Sequence, residues 1–532
     1  MFLKNKAQSF FKNNYCSFLI IIFFIGFIFF LHWNSFTSPW EGDEGEYAYS
    51  AWLMQQDITP YQNSFIQKPP LIIYTYYLSH LIKPYSIWFP RFLGFLTTIG
   101  VCFLLALTAK KLYGNRAGWL ALWISPLLLS VASFDALPAN TEKFMLLPLT
   151  GLLALFVYKK NKETFLVYLA AGSLGALAIL YKPIAILPVI ILIIYWLISN
   201  WLKNKNTKTF LKSLGLITFG GVLTTFIILA YFIWHGAFKE LWQETFIFNL
   251  SYAANTKNYF PEMFFRYITL YFKIFWPIII IVFASFIIKN RYIFLWWSLL
   301  AVSLLTIITS AIPHYYLLLA PFVVLLCAGS FSSLLEKIKI KQQGSESKNI
   351  ILIAVLAIIV IIFSLNLGEQ FFLKPREFAK WLWNSDNTWG EMVFMGDKIK
   401  QYTKKDDRIF VGGSEPQLYY FSQRRSASQF DTTFPLSINT PWCEYYQTQA
   451  IKELNNNKPT AIILPIGDVS LWEPGAPTIF IDYLRKELKE NYKLVGGAVS
   501  KYEVSTYIGP EWLEPDKISF DNKNSLLLFI RK

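Results

Sequence analysis

Charge is what this sequence has least of. Asp, Glu, Lys and Arg make up 16% of its 532 residues, where a soluble chain carries about 25%. Cysteine is scarce as well, four in all, which excludes a disulfide-stapled secreted module. With 26 Gly and 25 Pro, the composition fits neither collagen nor a disordered tract. The sequence contains no Walker loop, Gly-x-Ser-x-Gly elbow, Cys-x-x-Cys pair or His-Glu-x-x-His helix, so the common signatures of nucleotide, esterase, redox and zinc chemistry are missing.

What fills the space is apolar. Hydrophobic residues reach 54% and aromatics 18%, with a mean hydropathy of +0.38. A single soluble core stops growing near about 250–300 residues, so this excess needs lipid as its solvent. Runs long enough to span a bilayer, about 20 residues each, fall near 17–34, 88–109, 117–134, 143–158, 164–181, 183–202, 210–234, 266–288, 292–312, 315–334 and 349–367. The sequence therefore predicts an α-helical polytopic membrane protein with about 11 transmembrane helices. The first run follows Lys4, Lys6 and Lys12 but lacks a small-x-small cleavage site, so a retained span is expected rather than a signal peptide.

The basic residues assign the sides. Lys110, Lys111 and Arg116, then Lys159, Lys160 and Lys162, then Lys203, Lys205, Lys208 and Lys212 occupy alternate connections. Lys289 and Arg291, then Lys337, Lys339, Lys341 and Lys348, continue the series. By the positive-inside rule these connections and the N-terminus are cytoplasmic. Loops 35–87, 135–142 and 235–265 are then external, and so is the tail from residue 368. The formal net charge of +15 accordingly reads as a topology signal for an anionic inner leaflet. The tail carries 21 basic and 21 acidic residues, so no nucleic-acid footprint remains.

Residues 1–367 are expected to form the membrane domain and 368–532 a soluble extracytoplasmic α/β domain. In the tail, strand-like runs (Arg408–Gly412, Thr460–Pro465, Tyr492–Gly497, Leu526–Arg531) alternate with helix-like ones (Trp389–Thr403, Cys443–Asn457, Ile479–Glu490), a small α/β pattern.

The polar chemistry gathers on the external side. Loop 35–87 opens Trp40-Glu41-Gly42-Asp43-Glu44-Gly45-Glu46-Tyr47-Ala48-Tyr49, four carboxylates within six residues. Part of that acidity suits the N-terminus of a following helix over Tyr47–Gln55, and part suits a general base at the membrane face. Further on come Gln67-Lys68-Pro69-Pro70. The prolines keep Lys68 out of a regular helix and leave its ammonium at headgroup depth, facing a lipid phosphate. Asp135, Asn140 and Glu142 border another external loop, Lys182 precedes Pro183, and His314-Tyr315-Tyr316 stands at the mouth of a span after Pro313.

This ordered set resembles the GT-C glycosyltransferases of the ArnT-like and protein-mannosyltransferase-like kind. The resemblance is carried by Asp43 to Tyr49, Gln67 to Pro70, Ala139-Asn140-Thr141-Glu142, Tyr181-Lys182-Pro183, His314 to Leu317, and a tail stretch from Asp407 to Ser428. It implies a bacterial inner-membrane enzyme that takes a sugar from a polyprenyl-phosphate donor to a lipid, glycan or protein acceptor. By position Asp43 matches the family's catalytic aspartate and Lys68 the lysine on the donor phosphate. Gln67 stands where aminoarabinose transferases carry glutamate, and no metal or other cofactor is expected. The candidate site is Asp43, as general base, and Glu44 as catalytic carboxylates, Lys68, Lys182 and His314 on the donor phosphate, and Tyr49, Asp135, Glu142 and Tyr315 on substrate. Membrane lipids are the other expected partners. A lipid or small-molecule transporter with an external sensing domain is the alternative, but the broken-helix repeats typical of such carriers are missing and few charges lie mid-span.

Overall fold

The computed structural model describes residues 19–532 except 160–163, 256–259, 288–291, 309–311, 338–345, 383–390, 467–471, 502–503 and 509–524. The start of the first expected span at 17–18, Lys4, Lys6, Lys12, Lys160, Lys162, Lys289, Arg291, Lys339 and Lys341, and residues 389–390 of the expected helix 389–403 lie outside the described residues.

The chain is an α-helical polytopic membrane protein with a small sheet near its C-terminus. In the membrane part the order is α1 (Leu19–Ser35), α2 (Gly42–Gln55), α3 (Leu71–Ile82), α4 (Trp88–Tyr113), α5 (Asn115–Leu128), α6 (Thr141–Lys159), α7 (Phe165–Tyr181), α8 (Ile186–Asn204) and α9 (Thr207–Trp234). Then come α10 (Phe238–Trp242), α11 (Asn249–Asn255), α12 (Phe260–Phe283), α13 (Ile293–Ile308), α14 (Ala320–Lys337) and α15 (Glu346–Leu367). Among the described residues, seven helices are long and apolar enough to cross a membrane, and four further apolar helices are shorter. Each of the eleven expected runs coincides with one of these helices or with α5. The 117–134 run ends early: α5 stops at Leu128, and Asp135 takes a left-handed φ of 47°, which turns the chain toward α6. Helices α2 and α3 are additional and build the first loop.

Close helix packing follows from glycine. A Cβ at Gly172 of α7 would collide with the backbone carbonyl of Ile217 in α9, and one at Gly220 of α9 with that of Leu169. Small residues facing each other in this way let two helix backbones approach, the main source of packing energy where lipid removes the hydrophobic drive.

The tail runs α16 (Pro375–Leu382), α17 (Met392–Tyr402), β1 (Arg408–Val411), α18 (Gln417–Ser422), β2 (Arg425–Ser426), α19 (Phe434–Ser437), α20 (Cys443–Asn457), β3 (Ala461–Ile466), α21 (Ile479–Asn491), β4 (Tyr492–Lys501), β5 (Val504–Ile508) and β6 (Ser525–Arg531). The strand order is β2-β1-β3-β6-β4-β5; β1 pairs with β2 and β3 in parallel, and the remaining pairs are antiparallel.

Two apolar clusters join the first loop to the tail. One unites Trp40, Tyr47, Tyr49, Ile72 and Tyr76 with Met395, Ile409, Tyr419, Ile463 and Leu528. The other sets Phe65 and Phe248 against Phe410, Phe430 and Tyr446. Polar contacts reinforce the seam: Gln417 Nε2 donates to Trp40 O at 3.2 Å, and His80 Nδ1 and Tyr420 OH lie 2.9 Å apart. The fit is close at Gly45, where a Cβ would stand 2.5 Å from Gln417 Cγ and 2.7 Å from its backbone nitrogen.

Candidate active site

The site is built on the turn that leads from α1 into α2. Glu41 and Glu44 form a capping box there, so α2 starts at Gly42, five residues before the expected helix. Arg91, on the first turn of α4, locks the turn from below. Its guanidinium donates to Glu44 Oε1 at 2.8 Å and Oε2 at 2.5 Å, to Ser38 O at 2.7 Å, to Pro39 O at 2.9 Å and to Ser35 O. Glu44 is fully buried and Arg91 2% exposed. Removing one member of a buried pair costs about 3–5 kcal/mol, because the other charge is stranded.

With Glu44 turned inward, Asp43 faces the opposite way. Its Oδ2 lies 3.4 Å from Lys68 Nζ, the carboxylate side chain 30% exposed and the lysine 9%. Tyr47 OH donates to the same oxygen at 3.2 Å. A second set of groups sits beside this pair. Lys182 Nζ meets Glu142 Oε1 at 2.8 Å and lies 5.1 Å from the Tyr315 ring centroid. His314 stands between two acids, Nδ1 at 3.6 Å from Asp135 Oδ2 and Nε2 at 3.6 Å from Glu142 Oε1. Burial alone would raise the Asp43 carboxyl, but Lys68, then His314 and Lys182, outweigh it and hold it below the usual carboxylate value. The result is an ionised carboxylate, partly open, beside a buried lysine and framed by a second cationic group.

Seven of the nine sequence-derived candidates therefore meet in one place: Asp43, Lys68, Asp135, Glu142, Lys182, His314 and Tyr315. Two do not. Glu44 is enclosed by Arg91 and by the Ala139 N–H, which it accepts at 3.0 Å; it shapes the turn and faces no open space. Tyr49 is 1% exposed, accepts the Ser426 N–H at 2.8 Å and packs its ring 4.9 Å from that of Tyr419. It fastens α2 to the tail. Six residues beyond Asp43 on a 3.6-residue helix, it cannot share that residue's face.

Four residues outside the sequence-derived candidates matter here. Arg91 is one, and a lone arginine inside an apolar run was the signal that could have found it. The others are three acids that cap consecutive amides of the irregular segment before Lys68. Asp431 Oδ1 takes the Phe65 N–H at 3.0 Å, Glu244 Oε2 the Ile66 N–H at 2.9 Å, and the Glu46 carboxyl the Gln67 N–H. They come from the tail, from the segment after α10 and from α2. Burial pushes the Glu46 carboxyl up to about 8, and it raises Glu244 and Asp431 in the same direction. Among the described residues, no group of three or more His, Cys, Asp and Glu side chains is arranged to hold a metal ion.

The polytopic helical membrane part, with Asp43 beside Lys68 on its first loop and a small sheet in the tail, has an ArnT-like GT-C fold. Residues 67–234 match the family model described as dolichyl-phosphate-mannose-protein mannosyltransferase. Among solved structures, the chain is similar to ArnT from Cupriavidus metallidurans bound to undecaprenyl phosphate, with 12% identity over 84% of this chain and 93% of that one, at a TM-score of 0.57. The apo form of that protein aligns at 13% identity over 97% and 98%, with a TM-score of 0.54. The oligosaccharyltransferase of Archaeoglobus fulgidus, solved with a tethered acceptor peptide, aligns at 10% identity over 97% and 76%, with a TM-score of 0.53. No curated protein matches the sequence.

Proposed function

We propose that this protein moves a sugar from a polyprenyl-phosphate donor to an envelope acceptor, a lipid, glycan or protein, on the external face of a bacterial cytoplasmic membrane. The observation that carries the reading is the juxtaposition of a partly open, ionised Asp43 with the buried Lys68 ammonium, 3.4 Å away. In the reaction the acceptor hydroxyl oxygen attacks the anomeric carbon as the bond from that carbon to the phosphate oxygen breaks. The electron pair leaves with the phosphate, and the hydroxyl proton passes to Asp43. One displacement inverts the anomeric centre.

Lys68 neutralises the leaving phosphate, with Lys182 and His314 beside it; preorganised groups aimed at developing negative charge are usually the largest single term in catalysis. Donor phosphate also competes with Asp43 for Lys68. As the lysine turns to the phosphate, the carboxylate loses its strongest stabilising neighbour and becomes a better base at the moment it is needed. Glu142 holds Lys182 and, with Asp135, His314; Tyr315 lies against Lys182. In this reading Glu44 is a positioning residue, 1–367 is the catalytic membrane unit, and 368–532 covers the loop.

The ArnT and oligosaccharyltransferase structures, solved with a polyprenyl phosphate and with an acceptor peptide respectively, support the donor and the acceptor classes. The test is Asp43→Asn in purified full-length protein, with envelope extract from a deletion strain as acceptor and labelled polyprenyl-phosphate sugar as donor. Loss of general-base catalysis is worth about 10²–10⁴-fold, and donor binding should survive. Native transfer rates in this variant would remove Asp43 from the reaction.

A further inference from the structure

The seam between the first loop and the tail holds a cavity of about 130 Å³ that the reaction above does not use. Its walls are Tyr49 of α2, Gln62 and Asn63 of the connection to α3, and Arg408, Arg425 and Glu453 of the tail. Arg408 and Arg425 are register partners in the parallel pair β1–β2. Side chains at paired positions of neighbouring strands leave the same face of the sheet, on backbones about 4.8 Å apart, and like charges so placed repel. Both arginines are only partly exposed and line the same half-open cavity.

Several polar atoms of the wall already have partners elsewhere. Glu453 accepts through a single oxygen, Oε2, from Ser428 Oγ at 2.6 Å and from Gln429 N at 2.9 Å, and among the described residues it forms no ion pair with either arginine. Gln62 Nε2 donates to Gly236 O at 3.1 Å, and Asn63 Nδ2 to Thr59 O at 3.0 Å. Arg408 gives one weak bond, to Ser426 O at 3.4 Å. Two planar five-donor groups side by side, neither of them ion-paired with the Glu453 of the same wall, suit a tetrahedral or planar oxyanion that each can grip with two parallel hydrogen bonds.

We propose that this cavity is a phosphate site, distinct from the donor-phosphate lysines around Asp43, and that it takes a phosphate group borne by a saccharide or free in solution. The volume admits one such group with little of what carries it. Tyr49 lies about 9 Å along α2 from Asp43 and on a different face, so the cavity and the Asp43 pair are separate sites on one helix. The inference stands whether or not the chain transfers sugar.

Thermal unfolding of the full-length protein in detergent tests it, with inorganic phosphate, glucose 6-phosphate and glucose added at constant ionic strength. The melting temperature should rise with phosphate or glucose 6-phosphate, saturably, and not with glucose. Arg425→Gln should lose most of that rise, whereas Lys68→Ala should keep it. A larger rise with glucose 6-phosphate assigns the site to a saccharide-borne group, and a larger rise with phosphate to the free ion; both support the proposal. In phosphate-free chloride buffer, Arg425→Gln should melt at or above the native temperature, since it relieves a repulsion, whereas a purely structural arginine would lower it. No anion-dependent rise in the native protein, or a rise abolished by Lys68→Ala and kept by Arg425→Gln, overturns the proposal.

Discussion

Glu46 offers the sharpest test of how the segment before Lys68 is held. Its side chain is buried, the residue 6% exposed, and it takes the Gln67 N–H while facing Lys68 and Asp43. Burial pushes its carboxyl from the ordinary 4.5 up to about 8. Between those two values the folded protein holds a proton that the unfolded chain has released. Stability from this group is therefore complete below about pH 4.5 and is lost as the pH rises toward 8. Each pH unit inside the window removes about 1.4 kcal/mol, so pH 5.5 to 7.5 removes about 2.7 kcal/mol. Glu46→Gln keeps the hydrogen-bond acceptor and cannot ionise. Glu244 and Asp431 are raised as well, so the variant retains part of the native pH slope and loses only the share of one proton. Reversible unfolding of both proteins in detergent, at half-unit steps from pH 5.5 to 7.5, measures that share. The variant should gain on the native protein steadily as the pH rises. A stability difference that stays constant over those two units would show that Glu46 ionises as an ordinary carboxylate, and the account of the segment would fall with it.

Other substitutions separate the remaining roles. Lys68→Met removes the first cation that holds Asp43 below its usual value, so the acid limb of kcat/KM should move upward in pH and the donor KM should rise; an unmoved limb would detach the two residues. Gly45→Ala drives a methyl group into Gln417, and overpacking of that kind costs about 1–3 kcal/mol; limited proteolysis should find the tail released before the membrane helices, and unchanged protection would refute the close fit. Arg91→Met strands the buried Glu44 and should cost about 3–5 kcal/mol, most of which Arg91→Met with Glu44→Leu should restore. Gly172→Leu should separate α7 from α9 and lower the melting temperature, while the same change at Gly26, which has open space around it, should leave it unchanged.

The contrast between Asp43 and Glu44 shows where sequence reasoning stops. Both acids are adjacent, both follow the same glycine, and composition gives them equal claim to be the base. Consecutive helical residues point about 100° apart, so one had to face inward, but which one is set by Arg91, 47 positions along the chain. Spans and tail strands were legible because they are periodic or continuous: α20 covers the expected Cys443–Asn457. The two-residue β2 and the short β5 carry too little pattern to announce themselves. Glu244 and Asp431 were hidden for a different reason. Their partners are backbone amides, which have no signature in sequence, and each acid lies in a segment that otherwise reads as an ordinary loop.

Those hidden acids bear on why the tail is there. Phe65, Ile66 and Gln67 give their N–H groups to carboxyls from the tail, from the segment after α10 and from α2, and Lys68 follows directly. An irregular segment with unpaired amides would otherwise be left to water. Tying it to three separate parts of the chain makes the position of the Lys68 ammonium depend on all three being in place. Prolines at 69 and 70 deny the segment the alternative of joining α3 a turn early. The lysine beside Asp43 is thus set by the closure of the tail over the first loop, so a variant that loosens the seam, such as Gly45→Ala, should weaken donor binding although it touches no charged group.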